Sequence, residues 1–147
     1  MKPSHCVLLL LAAAIPAQAS AQASPPTCPG PITLPDWPDG AAAVTEEGLS
    51  IGTPARIRLE READSAFAGQ TAVKIERGGV YEISLGGPAW VDVVRDGVAV
   101  ASQSHRHGPA CSGIRKIVTF SLQPGLYEVR FSRSPAPAVQ AMVAPVP

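Results

Sequence analysis

Residues 90–102 read WVDVVRDGVAVAS, two runs rich in β-branched residues on either side of an Asp-Gly pair. Asp96 and Gly97 tolerate the positive φ angles of a type I′ turn. Asp-Gly between two apolar runs is therefore the strongest short-range indication of a β-hairpin. Valine-rich runs of this length also favour strands over helices. The stretch predicts two antiparallel strands and, with them, an all-β fold.

Alternation of apolar and polar residues continues on both sides of this hairpin. The segments that show it are 57–59, 73–75, 81–85, 114–122, 127–131 and 139–143. Between them, residues 61–70 predict a turn or a short helix, and residues 104–113 predict a polar loop. About seven or eight short strands with frequent turns are typical of an antiparallel β-sandwich or jelly roll.

The N-terminal part of the chain has the features of an exported protein. Residues 1–23 resemble a secretory signal peptide: residues 7–15 form an apolar run too short to span a bilayer, and Ala23 ends a small-x-small cleavage site. Residues 24–53 form a proline-rich arm followed by a loop, and residues 54–147 form the β-sandwich domain. We expect a periplasmic or secreted protein with no stable insertion into the membrane.

The charges and motifs of the chain argue against several functions. Twelve Lys and Arg residues balance 12 Asp and Glu residues, so the chain lacks the electrostatic footprint of a nucleic-acid-binding protein. It also lacks G-x-S-x-G, H-E-x-x-H, P-loop and G-x-G-x-x-G motifs, and no catalytic residue is assigned. These features favour a non-catalytic accessory or ligand-binding module without a cofactor. Its partner would be a small molecule or an envelope protein.

The cysteines predict a crosslink. Removal of a signal peptide that contains Cys6 leaves Cys28 and Cys111, and two thiols in an oxidising compartment usually pair. A Cys28–Cys111 disulfide would close a loop of roughly 80 residues, which contributes about 4–5 kcal/mol in the chain-entropy treatment. It would also tie the proline-rich arm to the segment that carries the histidines.

His105 and His107 are candidate metal ligands. A His-x-His pattern on a strand or at its end presents two imidazoles on the same side. Two histidines and one carboxylate suit non-haem Fe²⁺. The carboxylates that folding could bring near are Asp92, Glu82 and Glu128. The alternative is a solvated loop beside a disulfide.

The same stretch is the most basic part of a neutral chain and is also a candidate anion pocket. His105, Arg106, His107 and Arg115 could hold a carboxylate or a sulfate through guanidinium forks and backbone N–H groups. If Arg115 and Lys116 lie in a strand, however, alternation directs them to opposite faces.

Aromatic residues offer a third possibility, a platform for a sugar. Trp90, Tyr81 and Tyr127 occupy strand segments, so we expect them to pack in the core. Trp37, in the proline-rich arm, is the aromatic residue that we expect to be exposed, and it is the candidate for ligand contact.

Residues 79–145 carry a family resemblance. The sequence AWVDVVRDG at 89–97, the His105/His107 loop, Cys111 and the Pro124-Gly125 turn resemble a group of small exported β-proteins of Gram-negative bacteria. Members are mostly uncharacterised, and some carry the name homogentisate 1,2-dioxygenase. The strand order is also similar to that of bacterial pre-peptidase C-terminal domains. The resemblance implies either a non-catalytic accessory module or an iron-dependent dioxygenase.

The dioxygenase interpretation has one identifiable pair of ligands. His105 and His107 resemble the first ligand pair of a cupin iron site. Cys111 and Ser112 stand where that pattern has a glutamate, and no histidine follows Pro124-Gly125. At most two of the three iron ligands of a cupin are identifiable in this sequence.

Overall fold

A computed structural model describes residues 48–147 of the chain. The predicted signal peptide, Cys28 and Trp37 lie outside these described residues. The strands are β1 (Ala55–Arg58), β2 (Glu60–Arg61), β3 (Phe67–Ile75), β4 (Gly79–Leu85), β5 (Trp90–Arg95), β6 (Val98–Val100), β7 (Ser102–Arg106), β8 (Lys116–Leu122), β9 (Gly125–Ser134) and β10 (Ala138–Pro145). No helix in the described part of the chain is long and apolar enough to cross a membrane.

The ten strands form two five-stranded antiparallel sheets. Sheet I has the order β1-β10-β4-β8-β7, and sheet II has the order β2-β3-β9-β5-β6. The prediction of an antiparallel all-β fold is confirmed. The number of strands exceeds the predicted seven or eight because short edge strands with polar side chains also pair through their backbones.

The predicted hairpin is present at one edge of sheet II. Arg95 of β5 pairs with Val98 of β6, which leaves Asp96 and Gly97 as a two-residue turn. Their φ angles are 51° and 79°, as a type I′ turn requires. The chain then leaves sheet II at Ala101 and enters β7 at the edge of sheet I. This crossover brings the two sheet edges together.

The inner faces of the two sheets share one apolar core, which makes the arrangement sandwich-like. Its largest fully buried side chains include Phe120, Ile83 and Leu85 from sheet I and Phe131 from sheet II. The predicted core positions of Tyr81 and Tyr127 are confirmed. Leu49, which the sequence analysis assigned to the N-terminal segment, also belongs to this core and bridges to Val73.

Two segments differ from their predicted structure. Residues 61–70 contain the predicted turn and no helix: Arg61 pairs with Phe67, so residues 62–66 form the tight connection from β2, and residues 67–70 already belong to β3. Residues 104–106 belong to β7 and not to a loop, although every side chain of β7 is exposed. Both segments lack strand-like apolar alternation in the sequence. They pair nevertheless, because backbone hydrogen bonds, which do not depend on side-chain polarity, hold them at the sheets.

Loss of inner-face packing should destabilise the protein strongly. Phe131 is fully buried, so we expect Phe131→Ala to lower the free energy of unfolding by about 3–5 kcal/mol. Leu126 on the same strand is 67% exposed, and Leu126→Ala should change it by less than about 0.5 kcal/mol. Urea unfolding followed by circular dichroism measures both. Equal effects of the two substitutions would contradict the assigned faces of β9.

Candidate ligand-binding site

A groove of about 560 Å³ lies where the edges of the two sheets meet. It joins the turn before β5, the first residue of β5, the end of β7, the segment 107–115, the first residue of β8 and the end of β9. The described residues that line it are Gly87, Pro88, Ala89, Trp90, His105, Arg106, His107, Arg115, Lys116 and Arg133. We call it the Trp90 groove.

The structure brings together the ligand-binding candidates that lie among the described residues. His105, Arg106, His107 and Arg115 all line the Trp90 groove. Lys116 lines it too, and the condition for the predicted divergence of Arg115 and Lys116, that both lie in a strand, is not met. Arg115 precedes β8, which begins at Lys116, and strand alternation therefore does not apply to the pair.

Trp90 lines the groove and is not a core residue. Its predicted core position is wrong: 51% of it is exposed, because Val91 and Val93 take the inward positions of β5. The indole Nε1 donates a hydrogen bond to Asp92 Oδ1 at 3.2 Å. Lys116 Nζ lies 4.6 Å and Arg133 Cζ 5.8 Å from the ring centroid. Two cations therefore converge on one exposed aromatic ring.

A β-bulge brings Arg133 to this ring. Between Phe131 and Ser134, β9 contains one residue more than the facing part of β3. Arg133 adopts a left-handed φ of 53° within this irregularity, and Ser134 becomes the buried residue. Bulges redirect side chains, often beside functional sites. A left-handed conformation costs an arginine roughly 1–2 kcal/mol, so this orientation is maintained against local strain.

A second bulge precedes His105 on the opposite side of the groove. Ser102 faces Phe120 and Ser104 faces Thr119, so β7 contains an extra residue relative to β8. This places His105 opposite Val118, whose side chain is in the core. The register shifts of the described strands thus occur in β3–β9 and β7–β8, and both adjoin the Trp90 groove.

The segment 107–115 is anchored on the outer face of sheet I. Ile114 packs with Ile117 and Met142 in a small second apolar cluster. The Arg115 backbone N–H donates to Leu85 O at 2.7 Å. Alternation predicts an outward, polar position for Ser84, yet it is buried on the face that this segment adjoins. The anchoring holds His107 and Arg115 at the groove.

Internal contacts also define the conformation of this segment. Ser112 Oγ donates to Pro109 O at 2.7 Å and accepts from the Ile114 N–H at 3.2 Å. At Gly108, an added Cβ would lie 2.3 Å from Ile114 O. The segment therefore requires glycine at position 108. Cys111, two residues before Gly113, is half-buried and has a φ of 65°.

The two histidines have different surroundings. His107 Nδ1 lies 3.2 Å from the backbone oxygen of Arg115. Because a carbonyl oxygen only accepts, the Nδ1 N–H is the donor of this hydrogen bond. His105 faces the inner side of the sheet edge, where it also lines a small cavity of about 110 Å³ with Trp90 and Lys116.

The described residues do not complete the predicted metal site. Among residues 48–147, no three His, Cys, Asp or Glu residues are grouped so that they could hold a metal ion. Glu82, one candidate third ligand, instead accepts hydrogen bonds from Arg106 Nη2 at 2.9 and 3.0 Å. Asp92 binds the Trp90 indole, and Glu128 pairs with Arg130.

The Trp90 groove is strongly cationic. It contains four of the 12 Lys and Arg residues of a chain with zero net charge. Arg106 is paired with Glu82, but Arg115, Lys116 and Arg133 have no carboxylate within salt-bridge distance in the part of the chain described. No acidic residue of that part lines the groove. The arrangement is therefore suited to binding an anion.

A larger cavity lies elsewhere, where the described residues begin. It measures about 800 Å³, and its lining includes Leu49 and the exposed apolar residues Ile51, Val80 and Leu126. Its charged residues include Lys74 and Glu76, which pair with each other. Among the described residues that line this cavity, no group of several cations lacks carboxylate partners as in the Trp90 groove.

Trp90 and Arg133 were not predicted as ligand contacts, although the sequence contains a signal for each. Continuing the inward positions Tyr127, Val129 and Phe131 would place Arg133 inward, and a charge at such a position indicates a break in register. Trp90 alternates with Val91 and so shares the face of the polar residue Asp92.

Comparisons with known proteins give no further information about this groove. No family model, curated protein or solved structure matches the chain. The fold and the groove define an all-β protein of two antiparallel sheets with a cationic groove around an exposed tryptophan.

Substitution of Gly108 should disturb the groove segment. A Cβ at position 108 would collide with the backbone at Ile114, so we expect Gly108→Ala to lower the free energy of unfolding by about 1–3 kcal/mol. Gly79→Ala is the matched control, because its nearest neighbour is 4.0 Å away. Urea unfolding compares the two. A neutral Gly108→Ala would show that the segment does not need this close approach.

Proposed function

We propose that this chain is an exported, non-catalytic module that binds an anionic ligand in the Trp90 groove. The observation that carries the proposal is the convergence of Arg115, Lys116 and Arg133, without carboxylate partners among the described residues, around exposed Trp90. Surface cations are ordinarily scattered among anions, whereas these lie together in a neutral chain.

Electrostatics favours an anion at this position. Lys116 and Arg133 both lie within 6 Å of one ring centroid, so their positive charges repel each other. A bound carboxylate, sulfate or phosphate offsets that repulsion and accepts charge-assisted hydrogen bonds, with arginine able to donate two in parallel. An anion bound here is therefore attracted by Lys116 and Arg133 and reduces the repulsion between them.

The same charges disfavour the alternative of an iron-dependent dioxygenase. A dication bound between His105 and His107 would lie among Arg106, Arg115 and Lys116, which would repel it. A two-histidine, one-carboxylate site would also need its carboxylate from outside residues 48–147. No observation within these residues favours the metal site over the anion site.

The proposal also includes export of the protein and a disulfide between Cys28 and Cys111. The composition of residues 1–23 supports secretion, and secretion supports pairing of Cys28 with Cys111. Cys111 lies on the segment that supplies His107 and Arg115. A disulfide there would anchor the proline-rich arm beside the groove and stabilise a small β-sandwich.

The crosslink can be tested by counting thiols. Protein recovered from the periplasm, denatured without reductant, should react with less than about 0.1 thiol per chain in Ellman's assay, because secreted cysteines pair. After reduction the mature chain should show two. Loss of the signal segment is verified in the same sample by mass spectrometry. Two reactive thiols before reduction would refute the disulfide.

Anion binding can be tested with citrate and inorganic sulfate as probes. Titration calorimetry at low salt should detect binding. Lys116→Ala and Arg133→Ala should each weaken it by about tenfold or more, since a charge-assisted hydrogen bond contributes about 1.5–3 kcal/mol.

Arg56→Ala is the matched control, because Arg56 is an exposed cation on β1, away from the groove. It should leave the affinity within about twofold. Binding should also weaken as salt rises, through screening of exposed charges. Absence of citrate and sulfate binding at low salt, or equal effects of all three substitutions, would refute the proposed function.

A further inference from the structure

The Trp90 groove combines more features than a site for one small anion needs. It has an exposed aromatic ring, two cations at that ring without a carboxylate partner among the described residues, and the guanidinium of Arg115 on the segment 107–115. A carboxylate or sulfate fills only a small part of about 560 Å³, a volume within the range of sites for drug-sized ligands. The ligand should therefore present an apolar surface as well as more than one negative group.

Trp90 is held as a platform. Its indole N–H is bound to Asp92 Oδ1, and its ring is in contact with Lys116, so the orientation of the ring does not depend on a ligand. Half of the residue is nevertheless exposed. It is also the only aromatic among the exposed large apolar residues in the described range. A single oriented indole suits the apolar C–H face of a pyranose ring, which packs on aromatic faces.

The position of the groove favours a chain over a compact molecule. Small ligands usually bind in concave pockets that bury 70–90% or more of their surface. The Trp90 groove instead opens at the meeting edges of the two sheets, with Trp90 and Arg133 contributed by sheet II and Arg115 and His107 by the segment that covers sheet I. Successive units of a linear ligand could contact these two groups.

We infer that the ligand is a saccharide chain that carries carboxylate or sulfate groups. One sugar ring packs on Trp90, while its acidic group binds Lys116 or Arg133, and a further acidic group reaches Arg115. This inference rests on the proposed function, because it specifies the anion that the groove binds. Single-stranded nucleic acid fits less well, since its binding sites usually stack several bases on successive aromatic residues.

The test compares linear anionic probes of similar charge, and one neutral control, on the mature protein recovered from the periplasm. The probes are tetragalacturonate, a sulfated tetrasaccharide, the neutral galactotetraose, tetraglutamate and oligo(dT). Calorimetry should show one of the two acidic saccharides binding at least about tenfold more tightly than tetraglutamate and oligo(dT). Galactotetraose should bind more weakly than both acidic saccharides. Whichever acidic saccharide binds more tightly identifies the acidic group.

Trp90 variants separate this inference from the proposed function. Trp90→Ala should weaken binding of the acidic saccharide by about tenfold more than it weakens binding of citrate, because only the saccharide packs on the ring. Trp90→Phe should recover part of the saccharide affinity, because it retains an aromatic face. In Trp37→Phe protein, saccharide binding should change the fluorescence of the remaining Trp90, whereas citrate should change it much less.

The outcomes are distinguishable. If citrate and sulfate bind but tetraglutamate or oligo(dT) equals or exceeds both acidic saccharides, the inference fails and the proposed function stands. The same holds if Trp90→Ala leaves saccharide affinity unchanged. If no anionic probe binds, both fail. A thermal melt of each variant, expected within a few degrees of wild type for an exposed position, excludes unfolding as the cause of lost binding.

Discussion

Burial of the inner faces of the two sheets against each other is the constraint on which the rest of the structure depends. Side chains alternate along a strand, so a one-residue slip would expose Phe131 and bury Arg130. The register of β9 against β3 and β5 is therefore strongly specified. The same constraint places Trp90 outside the core, because Val91 and Val93 take the inward positions of β5.

The Trp90 groove forms where that strict register is interrupted. The bulge in β9 redirects Arg133, and the bulge in β7 precedes His105. Each interruption leaves the adjacent core intact: Phe131 and Phe120 remain fully buried beside the two bulges. The extensive inner-face packing can offset the local strain of a left-handed arginine, and strained residues of this kind are often found at functional sites.

A second packing interaction connects the fold to the electrostatics of the site. Ile114, Ile117 and Met142 hold the segment 107–115 on the outer face of sheet I. This contact positions Arg115 and His107 at the groove. An apolar cluster of three residues thus keeps basic groups together in one groove, against their mutual repulsion.

The sequence alone predicts the all-β class, most of the strands and the Asp96-Gly97 hairpin, because these depend on local alternation and turn chemistry. It also singled out His105, Arg106, His107 and Arg115, which are close together in the chain. Only the tertiary structure added Trp90 and Arg133 to them. Trp90 lies 15 residues before His105 and Arg133 lies 28 after it. Sheet pairing and two bulges, which depend on contacts between distant strands, bring them to one groove.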